Sequence, residues 1–333
     1  MPRKTDNEDR LRQVLKVAHL FYEKEMTKTE ISHEIRASST QVARLLAEAR
    51  EQGFVRIEFS PPTLHDLSER LKRKFDWLKD AIVVSSAEDL AFLRRMIGKA
   101  AAQYFETAVS DEATVALGGG DTMYEMVMAL PTTTRNVRLV PAAIIDSGPV
   151  LNHIDPAVLV SLLWVRSGRQ AGRAHLATGL PFNRPLSRQK LKEEYDEFSR
   201  RKAVQEVLAE MKRADFLFTS LGCLKADAAY EQLAPRPHHY LLENLRLTEA
   251  GLAREGVIGD LNYSFFDANG STAEQWNVFP ALGVAAVQQM VVAQKTVVVA
   301  AGKYKLAALQ AALRGRLLNV LITDEQAAAA LLR

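Results

Sequence analysis

The sequence predicts an α/β chain in two parts: a small N-terminal domain of the helix-turn-helix type, then a larger domain built on a mostly parallel sheet. Three observations carry this. Two short capped helices follow one another closely between Thr27 and Ala49. From Ala81 onward, short apolar strands alternate with helices, the pattern of a parallel sheet covered on both faces. Between these regions lies Ser60-Pro61-Pro62-Thr63, where two prolines end any strand.

The bulk properties fit such a chain. Its 333 residues suit two domains, and 47% hydrophobic with 25% charged residues is ordinary for a globular core. Cys223 is the single cysteine, so no intrachain disulfide can form, which points to a reducing compartment. Met1 to Asp6 lacks the apolar segment of a signal peptide, and no apolar run is long enough to cross a bilayer. A cytoplasmic protein without a membrane partner is expected. The net charge is only +3, and residues 1–59 hold 11 Lys/Arg against 10 Asp/Glu. Nucleic-acid binding therefore has to rest on a motif, since no basic patch announces it.

That motif lies in the head. Leu11, Val14, Leu15, Ala18 and Phe21 recur at helical spacing. Thr27 with Glu30 is a capping box that starts a second helix, with Ile31 and Ile35 on its apolar face. Ser38 with Gln41 is a second box, and Val42, Leu45, Leu46 and Ala49 turn the third helix inward. Such a pair of helices would place the N-terminal end of the third in the DNA major groove. Ser38, Ser39, Thr40, Gln41 and Arg44 are the candidate DNA-binding residues, with Ala43 on the same outward side. Small side chains allow close approach, and Arg44 can reach a guanine edge or a phosphate. Gln41 reads a base only if it does not cap the helix. Residues 53–59 alternate and read as a β wing. A plain three-helix bundle that binds protein would show the same periodicity; the paired caps and the wing favour DNA.

Residues 1–60 thus form the head, 61–80 a linker helix, and 81–333 the large domain. Leu64, Leu67, Leu71, Phe75 and Leu78 stripe the linker helix, which either packs on the large domain or forms a dimer contact. Strands are expected at 81–84, 114–117, 138–145, 214–220, 296–301 and 318–323. Helices are expected at 90–109, from the glycine run to 130, at 156–166, 191–211 and 303–314. The stretch 178–188 looks like an excursion from this Rossmann-like sheet.

Two strand–helix junctions carry chemistry. Gly118-Gly119-Gly120 lets the backbone approach a ligand, and the helix start behind it offers free N–H groups of Gly119, Gly120, Asp121 and Thr122 to an anion. The run has no Walker lysine and is not GxGxxG, so a small phosphate ester fits better than a nucleotide. A tight turn with no ligand is the plainer alternative. The second junction, 299–305, would reach the same sheet edge, where Lys305 could balance a phosphate or simply be solvated. Asp260 and Asp267 stand near loop ends, and carboxylates suit sugar hydroxyls; Asp267-Ala268-Asn269-Gly270 reads equally as a turn. The seven histidines show no metal-ligand spacing, and there is no GxSxG elbow or catalytic triad. No cofactor, metal or catalytic residue is assigned.

Taken together, residues 31–51, 115–122, 256–270 and 298–332 resemble the SorC family of sugar-responsive transcription regulators, within the broader SorC/DeoR group. The most specific stretches are Ala300-Ala301-Gly302-Lys303-Tyr304-Lys305, Ala311-Ala312-Leu313-Arg314-Gly315 and Leu321-Ile322-Thr323-Asp324-Glu325. The resemblance implies a C-terminal fold similar to sugar-phosphate isomerases but used as a sensor. It implies effector binding by the Gly119–Thr122 loop with Lys305 near the phosphate, and homo-oligomers, dimers or tetramers, on operator DNA. Arg36 stands where the family has a turn glycine, Ser39 where an arginine follows the cap serine, Asp155 where asparagine precedes Pro156, and Ala301 in place of the first glycine of a pair. The expectation is a DNA-binding regulator of carbohydrate metabolism, not an enzyme, whose operator binding a phosphorylated sugar modulates. The alternative is an isomerase- or deaminase-like enzyme, for which Asp260 or Asp267 lacks a convincing acid/base partner. A protein-interaction head on a metabolite sensor is a third reading.

Overall fold

A computed structural model describes residues 4–55, 62–132, 135–145, 152–168, 173–177, 179, 187–224 and 248–333. The chain separates into two compact units, Met1–Phe59 and Ser60–Arg333.

The first unit contains α1 (Lys4–Tyr22), α2 (Lys28–Glu34) and α3 (Ser39–Glu51). Its core is Val14, Val17 and Ala18 against Ile31, Val42, Leu45, Leu46 and Ala49. The face of α1 differs from the expected stripe: Leu11 and Leu15 are 39% and 44% exposed, and Val17 is buried instead. Val14, Val17, Ala18 and Phe21 follow the i, i+3, i+4, i+7 rule, and this broader stripe meets α3. The Arg10 guanidinium, 2.7 Å from Glu48, ties the two helices at their edge.

The Thr27 box is complete. The Glu30 N–H donates to Thr27 Oγ1 at 3.3 Å, and the Thr27 N–H donates to Glu30 Oε2 at 2.7 Å. The Ser38 box is only half formed: its Oγ accepts the Gln41 N–H at 3.1 Å, with no return bond from the Gln41 side chain. Between α2 and α3, Arg36 takes φ +50°, the left-handed conformation a glycine adopts without strain. Residues 56–59 of the expected wing lie outside the described residues, as do Ser60 and Pro61.

The second unit begins with α4 (His65–Lys74), β1 (Asp80–Val84), α5 (Leu90–Ala108), β2 (Thr114–Leu117), α6 (Asp121–Ala129), β3 (Arg138–Pro141), α7 (Pro156–Arg166) and β4 (Arg173–Ala174). It continues with α8 (Arg188–Ser199), α9 (Lys202–Arg213), β5 (Phe216–Thr219), β6 (Leu221–Cys223), α10 (Glu249–Arg254), β7 (Val257–Leu261) and β8 (Ser264–Asp267). It ends with α11 (Val284–Val292), β9 (Thr296–Ala300), α12 (Leu306–Arg314), β10 (Val320–Asp324) and α13 (Glu325–Leu332). Seven strands pair in the order β1-β10-β9-β5-β2-β3-β4, every pair parallel. Period-2 alternation feeds both faces: Val297 and Val299 join one core, Val298 and Ala300 the other. Helices α5, α6 and α7 cover the second face; α4, α9, α11, α12 and α13 cover the first.

Three expectations change in detail, and one open choice closes. Strand 138–145 ends at Pro141, because the backbone of Ala142 and Ile144 turns to bond Leu282 and Pro280. Helix 191–211 is two helices. Its stripes Leu191/Tyr195/Phe198 and Val204/Val207/Met211 are out of helical phase, so a break at Arg200–Arg201 is needed for both to face the core. Residues 256–270, where no strand was expected, form the β7–β8 hairpin, which with β6 makes a three-stranded antiparallel sheet. The stripe of 64–78 packs on the large domain, with Leu71 fully buried. His238 and His239, and most of the excursion at 178–188, fall outside the described residues.

This topology fixes where a ligand can enter. From β2 the chain winds outward to β3 and β4; from β5 it winds the other way, to β9 and β10. The crevice outside the carboxyl ends of β2 and β5 is thus a topological switch point, where open α/β sheets bind ligands.

Candidate functional site

A cleft of about 600 Å3, its open mouth included, occupies that switch point. Three strand ends and the hairpin build it. After β2, the glycine run crosses into α6. A Cβ on Gly119 would sit 2.8 Å from the Ile154 carbonyl oxygen and 3.1 Å from the Tyr263 hydroxyl, and Gly120 takes φ +107°. Only glycine fits both positions. The Gly120 N–H donates to the Ile154 carbonyl at 3.0 Å, so it is not free for an anion, contrary to the sequence expectation. Asp121 and Thr122 open α6 and have no intrahelical acceptor for their N–H groups. Thr122 is 1% exposed, lines the cleft, and has no partner for Oγ1 among the described residues.

After β9, a single 3-10 turn, Lys303–Lys305, swings Lys305 inward. It is 8% exposed, and its Nζ donates to Ser220 Oγ at 3.0 Å, just past the end of β5. Burial draws its pKa down to about 8, although the carboxylates of Asp121 and Asp260 pull it upward. Lys305 is therefore not the solvated lysine that was the plainer expectation.

The acids divide. Asp260, on β7, lines the cleft, and its Oδ2 accepts the Tyr263 N–H at 3.1 Å. Asp267 does not line it. Its Oδ1 accepts the N–H groups of Asn269 and Ser271 at 2.8 and 2.9 Å, closing the turn after β8. A carboxylate so placed serves the backbone of its own turn. Asp121 points to the guanidinium of Arg94 at 2.7 Å, with His153 Nε2 at 3.9 Å from its other oxygen.

Several lining residues escaped sequence reasoning. Asn262 and Tyr263 form the two-residue turn of the hairpin, with φ +51° and +64°. Asn262 is buried; its Nδ2 donates to the Leu282 carbonyl at 2.9 Å and its Oδ1 accepts the Thr219 hydroxyl at 2.8 Å. Asparagine tolerates this backbone and was the available signal; tyrosine at the next position masked it. Thr219 and Ser220 could have been found as the residues where a parallel strand ends. Arg94 carries no local signal, since only the α5–α6 packing brings it to the cleft.

In the first unit, Ser38, Ser39, Thr40, Gln41 and Arg44 are all exposed at the start of α3, while Ala43 is half-buried. Because the Gln41 side chain caps nothing, it joins that outward face. Among the described residues no helix is long and apolar enough to cross a membrane.

The family model described as "Putative sugar-binding domain" matches residues 61–333. The deoxyribonucleoside regulator of Bacillus subtilis is 25% identical over 329 residues, covering 97% of this chain and 98% of that protein. The sorbitol operon regulator of Klebsiella pneumoniae is 24% identical over 337 residues, covering 98% and 100%. The crystal structure of that full-length regulator, SorC, superposes with a TM-score of 0.64 at 21% identity, covering 98% of this chain and all of that one. With the family's model spanning most of its length, the chain belongs to the sugar-binding domain family, as the SorC-type motifs of its sequence led us to expect.

Proposed function

We propose that this chain is a DNA-binding transcription regulator of carbohydrate metabolism whose operator affinity changes when a phosphorylated sugar occupies the switch-point cleft. The observation that carries the reading is the meeting of three features at one point. The buried Lys305 ammonium, the unpartnered Thr122 hydroxyl and the open N-terminus of α6 all line the same cleft. A phosphate supplies acceptors for all three at once, and a helix N-terminus favours its charge. Asp260 is placed for sugar hydroxyls, which a carboxylate can accept in pairs.

The head supports the DNA half. Two capped helices present five exposed residues at the start of α3, and residues 53–59 are proposed to form a wing beside them. The similar proteins are named regulators, which favours a regulator over an isomerase-like enzyme, and the cleft's carboxylates serve Arg94 and the hairpin backbone. We place the protein in the cytoplasm as a homo-oligomer on its operator.

Calorimetry with a sugar phosphate and its free sugar tests the cleft. Lys305→Ala is expected to weaken the phosphosugar about tenfold or more, and the free sugar little, because a charge-assisted hydrogen bond is lost. Equal losses for both ligands would remove Lys305 from the phosphate. Gel shifts with the upstream DNA test the head: Arg44→Ala should lower affinity by roughly 1–3 kcal/mol if it contacts a base edge in both its hydrogen bonds.

A further inference from the structure

Asp121 stands where an anion should. It is the first residue of α6, at the positive end of the helix dipole, and its Oδ2 lies 2.7 Å from a guanidinium nitrogen of Arg94. Both residues line the cleft beside the unpartnered Thr122 hydroxyl. The pair is held from behind. Gly98 is one turn after Arg94 on α5, and Glu125 is one turn after Asp121 on α6. A Cβ on Gly98 would lie 2.6 Å from Glu125 Cβ, so the two helices touch backbone to side chain at this level. That contact sets Arg94 over the start of α6. The Arg94 side chain is only 14% exposed, so its pairing with Asp121 is shielded from water.

Resting on the reading that a phosphate binds this cleft, we propose that Asp121 is an internal stand-in for the ligand's anion, and that Arg94 is a second phosphate-binding residue released when the phosphate takes Asp121's place. A guanidinium fork matches phosphate as well as carboxylate, and the dianion brings the larger charge. Asp121 then swings off Arg94 toward His153, whose Nε2 already lies 3.9 Å from its Oδ1. The exchange discriminates against neutral sugars, which cannot break the ion pair.

The test is a double-mutant cycle on the full chain, read by phosphorus NMR line broadening of inorganic phosphate. Far-UV dichroism and thermal unfolding confirm that each variant is folded. Arg94→Gln should weaken phosphate about tenfold, and Arg94→Lys less, since it keeps the charge but loses the fork. Asp121→Asn should tighten it several-fold. The sign of the coupling decides between exchange and simple repulsion. If Asp121 competes for Arg94, the gain from Asp121→Asn shrinks in the Arg94→Gln background. If it merely repels the phosphate, the gain grows there, because its charge is no longer neutralised, and the proposal is overturned. Weaker phosphate binding by Asp121→Asn also overturns it, and so does wild-type affinity in Arg94→Gln; both leave the Lys305 site standing. Absence of binding by both wild type and Asp121→Asn overturns the cleft reading itself.

Discussion

Burial draws the Lys305 ammonium to a pKa of about 8, against an ordinary 10.5, despite the opposing pull of Asp121 and Asp260. Between these values the unfolded chain binds more protons than the folded one, so stability rises with pH across that window. Below pH 8 both states are charged and the full penalty stands, on the order of 3 kcal/mol. Lys305→Met keeps the unbranched stem and removes the charge. It should stabilise the chain by roughly 1–3 kcal/mol at neutral pH and flatten the rise above pH 8, measured by urea unfolding across the window. A loss of stability at neutral pH would mean the ammonium is better solvated than the 8% exposure of Lys305 as a whole implies. The charge of a phosphate beside Lys305 opposes the effect of desolvation and raises its pKa, so binding near pH 8 should take up protons. The lysine was legible because a strand–turn–helix pattern frames it. Arg94 was not, because its position depends on how two helices cross, and Asp267 misled because one carboxylate can serve a ligand or its own turn.

At the scale of elements, α5 and α6 make the contact that aims the site. Gly98 is a point of close approach, with Glu125 Cβ 2.6 Å and the Met126 nitrogen 2.8 Å from an added Cβ. Gly98→Ala must therefore part the helices. The expected destabilisation is about 1–3 kcal/mol, the range for overpacking a tight core. The start of α6 should shift with it, so phosphosugar affinity should fall although Gly98 touches no ligand. A variant that loses stability but keeps full affinity would show that α6 is anchored elsewhere, for instance by the Gly120 to Ile154 hydrogen bond. Six of the seven strands of the parallel sheet were legible within a few residues, because their apolar runs are bounded by glycine and polar residues; β4 and β6, two and three residues long, are too short to carry a pattern. The β7–β8 hairpin was not, since Gly259 blurs the alternation of Val257 and Leu261, and its turn is Asn-Tyr where Asn-Gly would have announced it. The face of α1 was misread because two apolar stripes overlap on it, and only the packing against α3 chooses between them.

For the whole molecule, the order of the strands decides what can be cut away. β1 pairs with β10, so the start of the large unit closes against the end of the chain. Helix α4 belongs to that closure. Leu71 is fully buried in the main core, the Leu64 N–H donates to the Val83 carbonyl at 2.7 Å, and the Val83 N–H donates to Ser68 Oγ at 3.2 Å. Sequence periodicity could not say whether this helix was a free linker or part of the sheet domain, because its stripe fits either. The packing gives a sharp expectation for truncation. A chain starting at Pro62 keeps α4 and every bond above; one starting at Asp80 removes the buried Leu71 and Leu78 together and leaves the outer face of β1 bare. A loss of that size is comparable with the whole stability of a domain, about 5–15 kcal/mol. The longer piece should therefore fold and gain stability from a phosphosugar, about 2.7 kcal/mol at a hundredfold excess over Kd, yet not shift operator DNA. The shorter piece should be insoluble. Solubility, thermal unfolding with and without the ligand, and a gel shift read all three outcomes, and a well-folded chain from Asp80 would show that α4 is a linker after all.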